Sequence, residues 1–135
     1  MRITRRFEWD AGHRITRHES KCRHPHGHRY VAEIEVVSDD LDEVGRVVDF
    51  GVLKERIGAW IDREWDHAFL LCRGDPLIQV FLEHGFRIFV FDDEPTAETM
   101  VAYLWTIAET LLPARLHLTR VRVYETPNCW AEMGP

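Results

Sequence analysis

The sequence predicts an α+β fold: an antiparallel sheet with two helices packed on one face. Three observations lead there. Both ends of the 135-residue chain alternate apolar and polar residues, the period of a half-buried strand. Two inner stretches repeat apolar residues at helical spacing. Paired strands at both ends, with helices between, suggest antiparallel pairing with both helices on one face. With no linker, repeat or low-complexity tract, residues 1–135 read as a single domain.

The elements follow in order. In "RITRRFEW", Ile3, Phe7 and Trp9 share one face, with Arg2, Arg6 and Glu8 on the other. In "HGHRYVAEIEVV", Tyr30, Ala32, Ile34 and Val36 oppose Arg29, Glu33 and Glu35. Both are strands. "SDDLDEVG" is a turn-rich connection. "DFGVLKERIGAWIDREW" is a helix, with Leu53, Ile57, Trp60, Ile61 and Trp65 as its stripe and Asp49 as N-cap. "LLCRGDPL" breaks it, and "FRIFVF" reads as a short strand. "PTAETMVAYLWTIAETLL" is a second helix, with Thr96 as cap and Met100, Leu104, Ile107, Ala108 and Leu111 buried. "LTRVRVYET" is a strand with Val121 and Val123 inward, and "NCWAEM" an edge strand after a turn. Two helices cover only one sheet face. The Arg/Glu face is therefore either wet or the polar lining of an oligomer.

Apolar residues make up 45% and charged residues 30% of the chain, which excludes a disordered protein. No apolar run approaches the ~18 residues that span a membrane. The N-terminal "MRITRRFEWD" has no signal-peptide core. Three cysteines, an odd number at irregular spacing, argue against a disulfide framework and for the cytoplasm. The net charge of −6 is unevenly spread: residues 1–30 hold eight Lys/Arg against three Asp/Glu. That basic segment surrounds a histidine cluster and suits an anionic small molecule. It lacks the density of a nucleic-acid-tracking arm.

The chemistry concentrates in "KCRHPHGHRY". His26 and His28 lie two apart on a strand, so they share a face, that of the apolar stripe. His13 has the parity of Phe7 and Trp9. A loop over residues 14–25 returns the chain beside it. Three neutral imidazoles on a rigid sheet form a Zn²⁺ platform with a fourth position open. Gly27 permits close backbone approach between the two ligands. Cys22, flanked by Lys21 and Arg23, is a fourth ligand, a thiolate catalyst or an inert cysteine, and spacing does not choose. His18, His24, His84 and His117 read as surface or hydrogen-bonded residues. Asp66 and His67 follow the first helix. On a helix neighbours cannot form a relay, but at a helix end both can swing to one site. Glu125 brings a carboxylate into the Val121–Val123 face. That is costly unless it is paired, by an internal arginine or by a guanidine-like ligand edge.

Together these residues resemble the 6-pyruvoyl-tetrahydropterin synthase superfamily, most closely its bacterial 6-carboxytetrahydropterin synthase branch. The resemblance runs nearly end to end through "FEWDAGHRI", "KCRHPHGHRY", "VVDFGVLK", "DH" at 66–67, "PTAETMVAYLW" and "VYET". It implies that His13, His26 and His28 hold a catalytic zinc and that Cys22 is the catalytic thiol. Asp66 and His67 complete its proton relay. Glu125 grips the 2-amino and ring N–H edge of a pterin, with Thr96 as a second substrate-binding residue.

The implied fold is the tunnelling fold, in which trimers close into a barrel and stack into a homohexamer with sites between subunits. The implied reaction converts 7,8-dihydroneopterin triphosphate to 6-carboxy-5,6,7,8-tetrahydropterin, releasing acetaldehyde and triphosphate, in queuosine biosynthesis. The short C-x3-H-G-H spacing is that of the carboxy branch; the pyruvoyl reaction, which loses no carbon, is the alternative. A non-catalytic zinc-stabilised binding module is the reading from another class. Pro25 and His24 depart from the family pattern. Residues 72–91 are longer than in compact members.

Overall fold

The computed structural model describes all residues from 1 to 135. A six-stranded sheet runs in the order β4-β3-β1-β2-β5-β6. Its strands are β1 (Arg2–His13), β2 (His26–Val37), β3 (Phe69–Cys72), β4 (Ile88–Phe91), β5 (His117–Thr126) and β6 (Cys129–Met133). One helical run joins α1 (Phe50–Leu53), a π-helical turn (Lys54–Gly58) and α2 (Ala59–Glu64). Further helices are α3 (Leu77–Glu83) and α4 (Ala97–Leu111). No helix is long and apolar enough to cross a membrane.

The α+β class holds, and the central antiparallel pairing sets the site. β1 and β2 pair from Arg2↔Val37 to His13↔His26. This register places Phe7 opposite Ala32 and Trp9 opposite Tyr30. A slip by one residue would turn that whole apolar set to the polar face. The same register puts His13 opposite His26 and Ala11 opposite His28, at the end of the stripe.

Two features differ from the sequence expectation. The sheet is mixed, because β3 runs parallel to both β1 and β4. There is also a third helix, α3, in the β3–β4 crossover. The physical reason is shared. Leu70 and Leu71 are both fully buried, so β3 is a short continuous apolar run without alternation. Helix α3 has no fully buried residue and hence a weak stripe.

Both expected caps form. Asp49 accepts from the Gly51 N–H at 2.7 Å. Thr96 accepts from the Thr99 N–H at 3.3 Å. The first helical run lies close on β1 at Gly58, where an added Cβ would come within 2.8 Å of the Phe7 ring. The core joins this run and α4 to the sheet through Phe7, Trp9, Tyr30, Trp65, Met100 and Leu104.

The other sheet face carries an ion-pair ladder across four strands. Arg2 meets Glu35 at 3.3 Å, Arg120 meets Glu33 at 3.4 Å and Glu35 at 3.3 Å, and Arg122 meets Glu132 at 2.5 Å. Glu35 is largely covered by this network. Cross-strand pairs of opposite charge each contribute about 0.2–1 kcal/mol. They make a polar face stable without a second layer of helices.

Candidate active site

His13, His26 and His28 converge on the apolar side of the sheet, with ligand atoms all within 4.8 Å of one another. The Nε2 atoms of His13 and His26 are 3.0 Å apart, and those of His28 and His13 are 3.2 Å apart. Two carbonyls decide the tautomers. His13 Nδ1 lies 2.8 Å from the Pro95 carbonyl, and His26 Nδ1 lies 2.7 Å from that of His24. A carbonyl only accepts, so each Nδ1 carries its proton and each neutral ring presents a lone pair at Nε2.

Lone pairs this close repel unless a cation shares them. Tetrahedral zinc with N ligands at ~2.0–2.1 Å needs them about 3.3 Å apart. The donor set and its spacing therefore fit zinc. Fixing a ligand through its second nitrogen is the usual support at such a centre.

Burial helps keep the rings neutral. It lowers the His13 pKa to about 4, with the Pro95 bond opposing and His26 and His28 adding to the depression. Burial, then His26, also lowers that of His28. Gly27 is required between the ligands: a Cβ there would lie 2.9 Å from the Ala11 carbonyl oxygen. His24 contributes its backbone, and its own ring is exposed. Pro25 disfavours helical geometry at His24, which is extended at φ −83° and ψ 144°.

Glu125 lies beside this triad. Burial, then the nearby Glu98, raises its pKa, while His26 and the Ala97 N–H at the start of α4 favour its charged form. No arginine is among these neighbours, so the internal ion pair considered from sequence is absent. A half-buried carboxylate next to a second one is primed for a ligand that brings N–H donors or positive charge. Thr96, half-buried at the α4 cap, spends its hydroxyl on Thr99.

Cys22 sits half-buried in a 3₁₀ turn (Lys21–Arg23) on the loop between the two ligand strands. It is not in the ligand cluster, which contains the three histidines alone. The fourth-ligand reading thereby loses its geometry.

Asp66 and His67 do meet at a helix end: His67 Nδ1 and Asp66 Oδ1 are 2.9 Å apart. His67 adopts a left-handed backbone at φ 58°. That conformation is uncommon for a non-glycine residue and costs about 1–3 kcal/mol. It is held by the His67 N–H donating to the Asp10 carbonyl at 2.7 Å and by Asp66 accepting from the Asp10 N–H at 3.2 Å. His67 opens into a groove of about 780 Å³ whose lining includes His26 and His28 as well as Asp10, Arg29 and Phe81. Asp10 and Arg29 lie on the polar sheet face, and no hydrogen bond joins His67 to Cys22. One chain thus gathers the histidines and Glu125, with the Asp–His pair on a groove that His26 and His28 also line.

Sequence reasoning missed Asp75, Glu94 and Pro95. Asp75 accepts two bonds from Arg14, at 2.7 and 2.6 Å. Glu94 accepts from the Thr16 N–H at 2.9 Å and from the Thr16 hydroxyl. Burial alone would raise both carboxyl pKa values, but the Arg14 and Thr16 bonds hold them below the usual range. A Pro95 carbonyl has no side-chain signature to find.

Comparison with known proteins places the chain in a family. A family model for 6-pyruvoyl tetrahydropterin synthase matches residues 2–135. The 6-carboxy-5,6,7,8-tetrahydropterin synthase of Rickettsia bellii is 38% identical over 137 residues, covering 98% of this chain and 99% of that one. The probable 6-carboxy-5,6,7,8-tetrahydropterin synthase of Halobacterium salinarum is 40% identical over 127 residues, covering 93% and 79%. Among solved structures, an uncharacterised protein from Wolinella succinogenes superposes with a TM-score of 0.84 at 22% identity, covering 99% and 97%. The 6-pyruvoyl tetrahydropterin synthase of Caenorhabditis elegans gives 0.72 at 20%, covering 100% and 95%. These two show the shared fold, and the sequence matches carry the relationship further: the chain belongs to the 6-pyruvoyl tetrahydropterin synthase family.

Proposed function

We propose that the 135 residues form one zinc-dependent 6-carboxy-5,6,7,8-tetrahydropterin synthase domain. It would convert 7,8-dihydroneopterin triphosphate with release of acetaldehyde and triphosphate, in the cytoplasm, for queuosine biosynthesis. The observation that carries the reading is the convergence of His13, His26 and His28 beside Glu125, which has no arginine partner. Relatives at 38–40% identity bearing the carboxy name favour this product over the pyruvoyl one.

Zinc bound by the triad would supply a Lewis acid for the side-chain hydroxyls of the substrate. Glu125 would fix the heterocycle by accepting from its 2-amino and ring N–H groups, and Thr96 would line the same end. Cys22 would take and return protons at the substrate side chain. His67, oriented by Asp66, would be the second proton carrier. The lack of any hydrogen bond between His67 and Cys22 within one chain supports a site completed between subunits. A homohexamer built as a dimer of trimers would provide that arrangement. The basic loop around Arg17, Lys21 and Arg23 would face the triphosphate.

Substitution of the thiol separates an enzyme from a zinc-stabilised module. Cys22→Ala is expected to keep one zinc per chain and the melting temperature while turnover falls by roughly 10²-fold or more. Zinc loss with melting of the fold would instead support the binding module.

A further inference from the structure

We propose that Asp75 and Glu94 are positioning residues for Cys22, setting the thiol through Ile15. The inference rests on the reading of Cys22 as the reacting thiol. The Cys22 carbonyl accepts the Ile15 N–H at 2.9 Å, so the turn that carries the thiol hangs on Ile15. Both neighbours of Ile15 are held by carboxylates from outside the loop. Arg14 forms its two-pronged contact with Asp75, whose side chain is 0% exposed. Thr16 gives both its N–H and its hydroxyl to Glu94, which Arg17 also reaches at 3.4 Å.

The placement of the two carboxylates is informative. Asp75 follows β3 and also accepts the Leu77 N–H at 2.9 Å, fixing the start of α3. Glu94 follows β4 and directly precedes Pro95, whose carbonyl orients the His13 ring. Glu94 and Pro95 therefore hold the thiol loop and the first histidine from adjacent residues. The 72–91 segment acquires a purpose as the strut that brings both carboxylates under the loop. Buried carboxylates are costly unless fully bonded, and both of these direct bonds to one short segment.

The test uses the zinc-loaded full chain with Asp75→Asn and Glu94→Gln, which keep shape and remove charge. Thr16→Val approaches the same contact from the loop side should either variant fold poorly. Three quantities are read: amide hydrogen exchange, the iodoacetamide labelling rate of Cys22, and kcat with KM. The expected result is exchange roughly tenfold faster across residues 15–24, with α4 and β5 unchanged. Labelling should change by about fivefold or more. The kcat should fall about tenfold while KM stays within about threefold. Wild-type exchange and labelling in all three variants would overturn the inference. So would protection lost evenly across the sheet, which is the mark of a merely structural role. Undiminished turnover by Cys22→Ala is a different failure: it removes the catalytic role of the thiol, whatever the loop exchange shows.

Discussion

Two carbonyl oxygens decide what the histidine cluster can do. Those of Pro95 and His24 accept hydrogen bonds from the two Nδ1–H groups and leave Nε2 lone pairs pointing at one another. His26→Ala is therefore expected to abolish stoichiometric zinc binding while the chain stays folded, measured by metal analysis beside circular dichroism. Glu125→Ala should leave zinc in place and weaken pterin binding about 10–100-fold, since each hydrogen bond to a charged group contributes about 1.5–3 kcal/mol. Unchanged affinity by calorimetry would remove its assigned role.

The depressed His13 pKa has a signed consequence. Between its unfolded value near 6.5 and its folded value of about 4, the unfolded chain binds the extra proton. Zinc-free protein should thus lose stability as pH falls through that window, by at most about 1.4 kcal/mol per pH unit. His13→Gln should flatten the slope, as measured by urea unfolding at each pH. Parity alone made the His26–His28 pair and its His13 partner legible in the sequence. The fate of Cys22 was not legible, because spacing along a loop does not fix direction.

At the scale of elements, the close approach of the first helical run to β1 depends on Gly58. Gly58→Ala would press a methyl group into Phe7, an overpacking that costs about 1–3 kcal/mol. Thermal unfolding should show the midpoint falling by several degrees. An unchanged midpoint would mean the helix shifts freely. Strands β1, β2 and β5 were legible because one face is apolar and the other charged, so alternation marks them. Strand β3 was not, because Leu70 and Leu71 are buried on opposite faces and leave no alternation to read. The parallel edge followed from that omission, and with it the positions of Asp75 and Glu94.

At the scale of the whole molecule, the sequence left a polar sheet face unassigned. The structure shows it as a ladder of arginines and glutamates bounded by the edge strands β4 and β6. Burying such a face in an oligomer requires each charge to stay paired, and the ladder already pairs them within one chain. A site completed between subunits makes assembly part of the proposed chemistry. Sedimentation should report a hexamer, and dissociation to single chains should abolish turnover while zinc remains bound. The proposed reaction is tested by incubating the metal-analysed protein with 7,8-dihydroneopterin triphosphate and identifying the products by mass. The expected products are 6-carboxytetrahydropterin and acetaldehyde, from protein carrying one zinc per chain. A pyruvoyl product without acetaldehyde, or the carboxy product from zinc-free protein, would contradict the proposal.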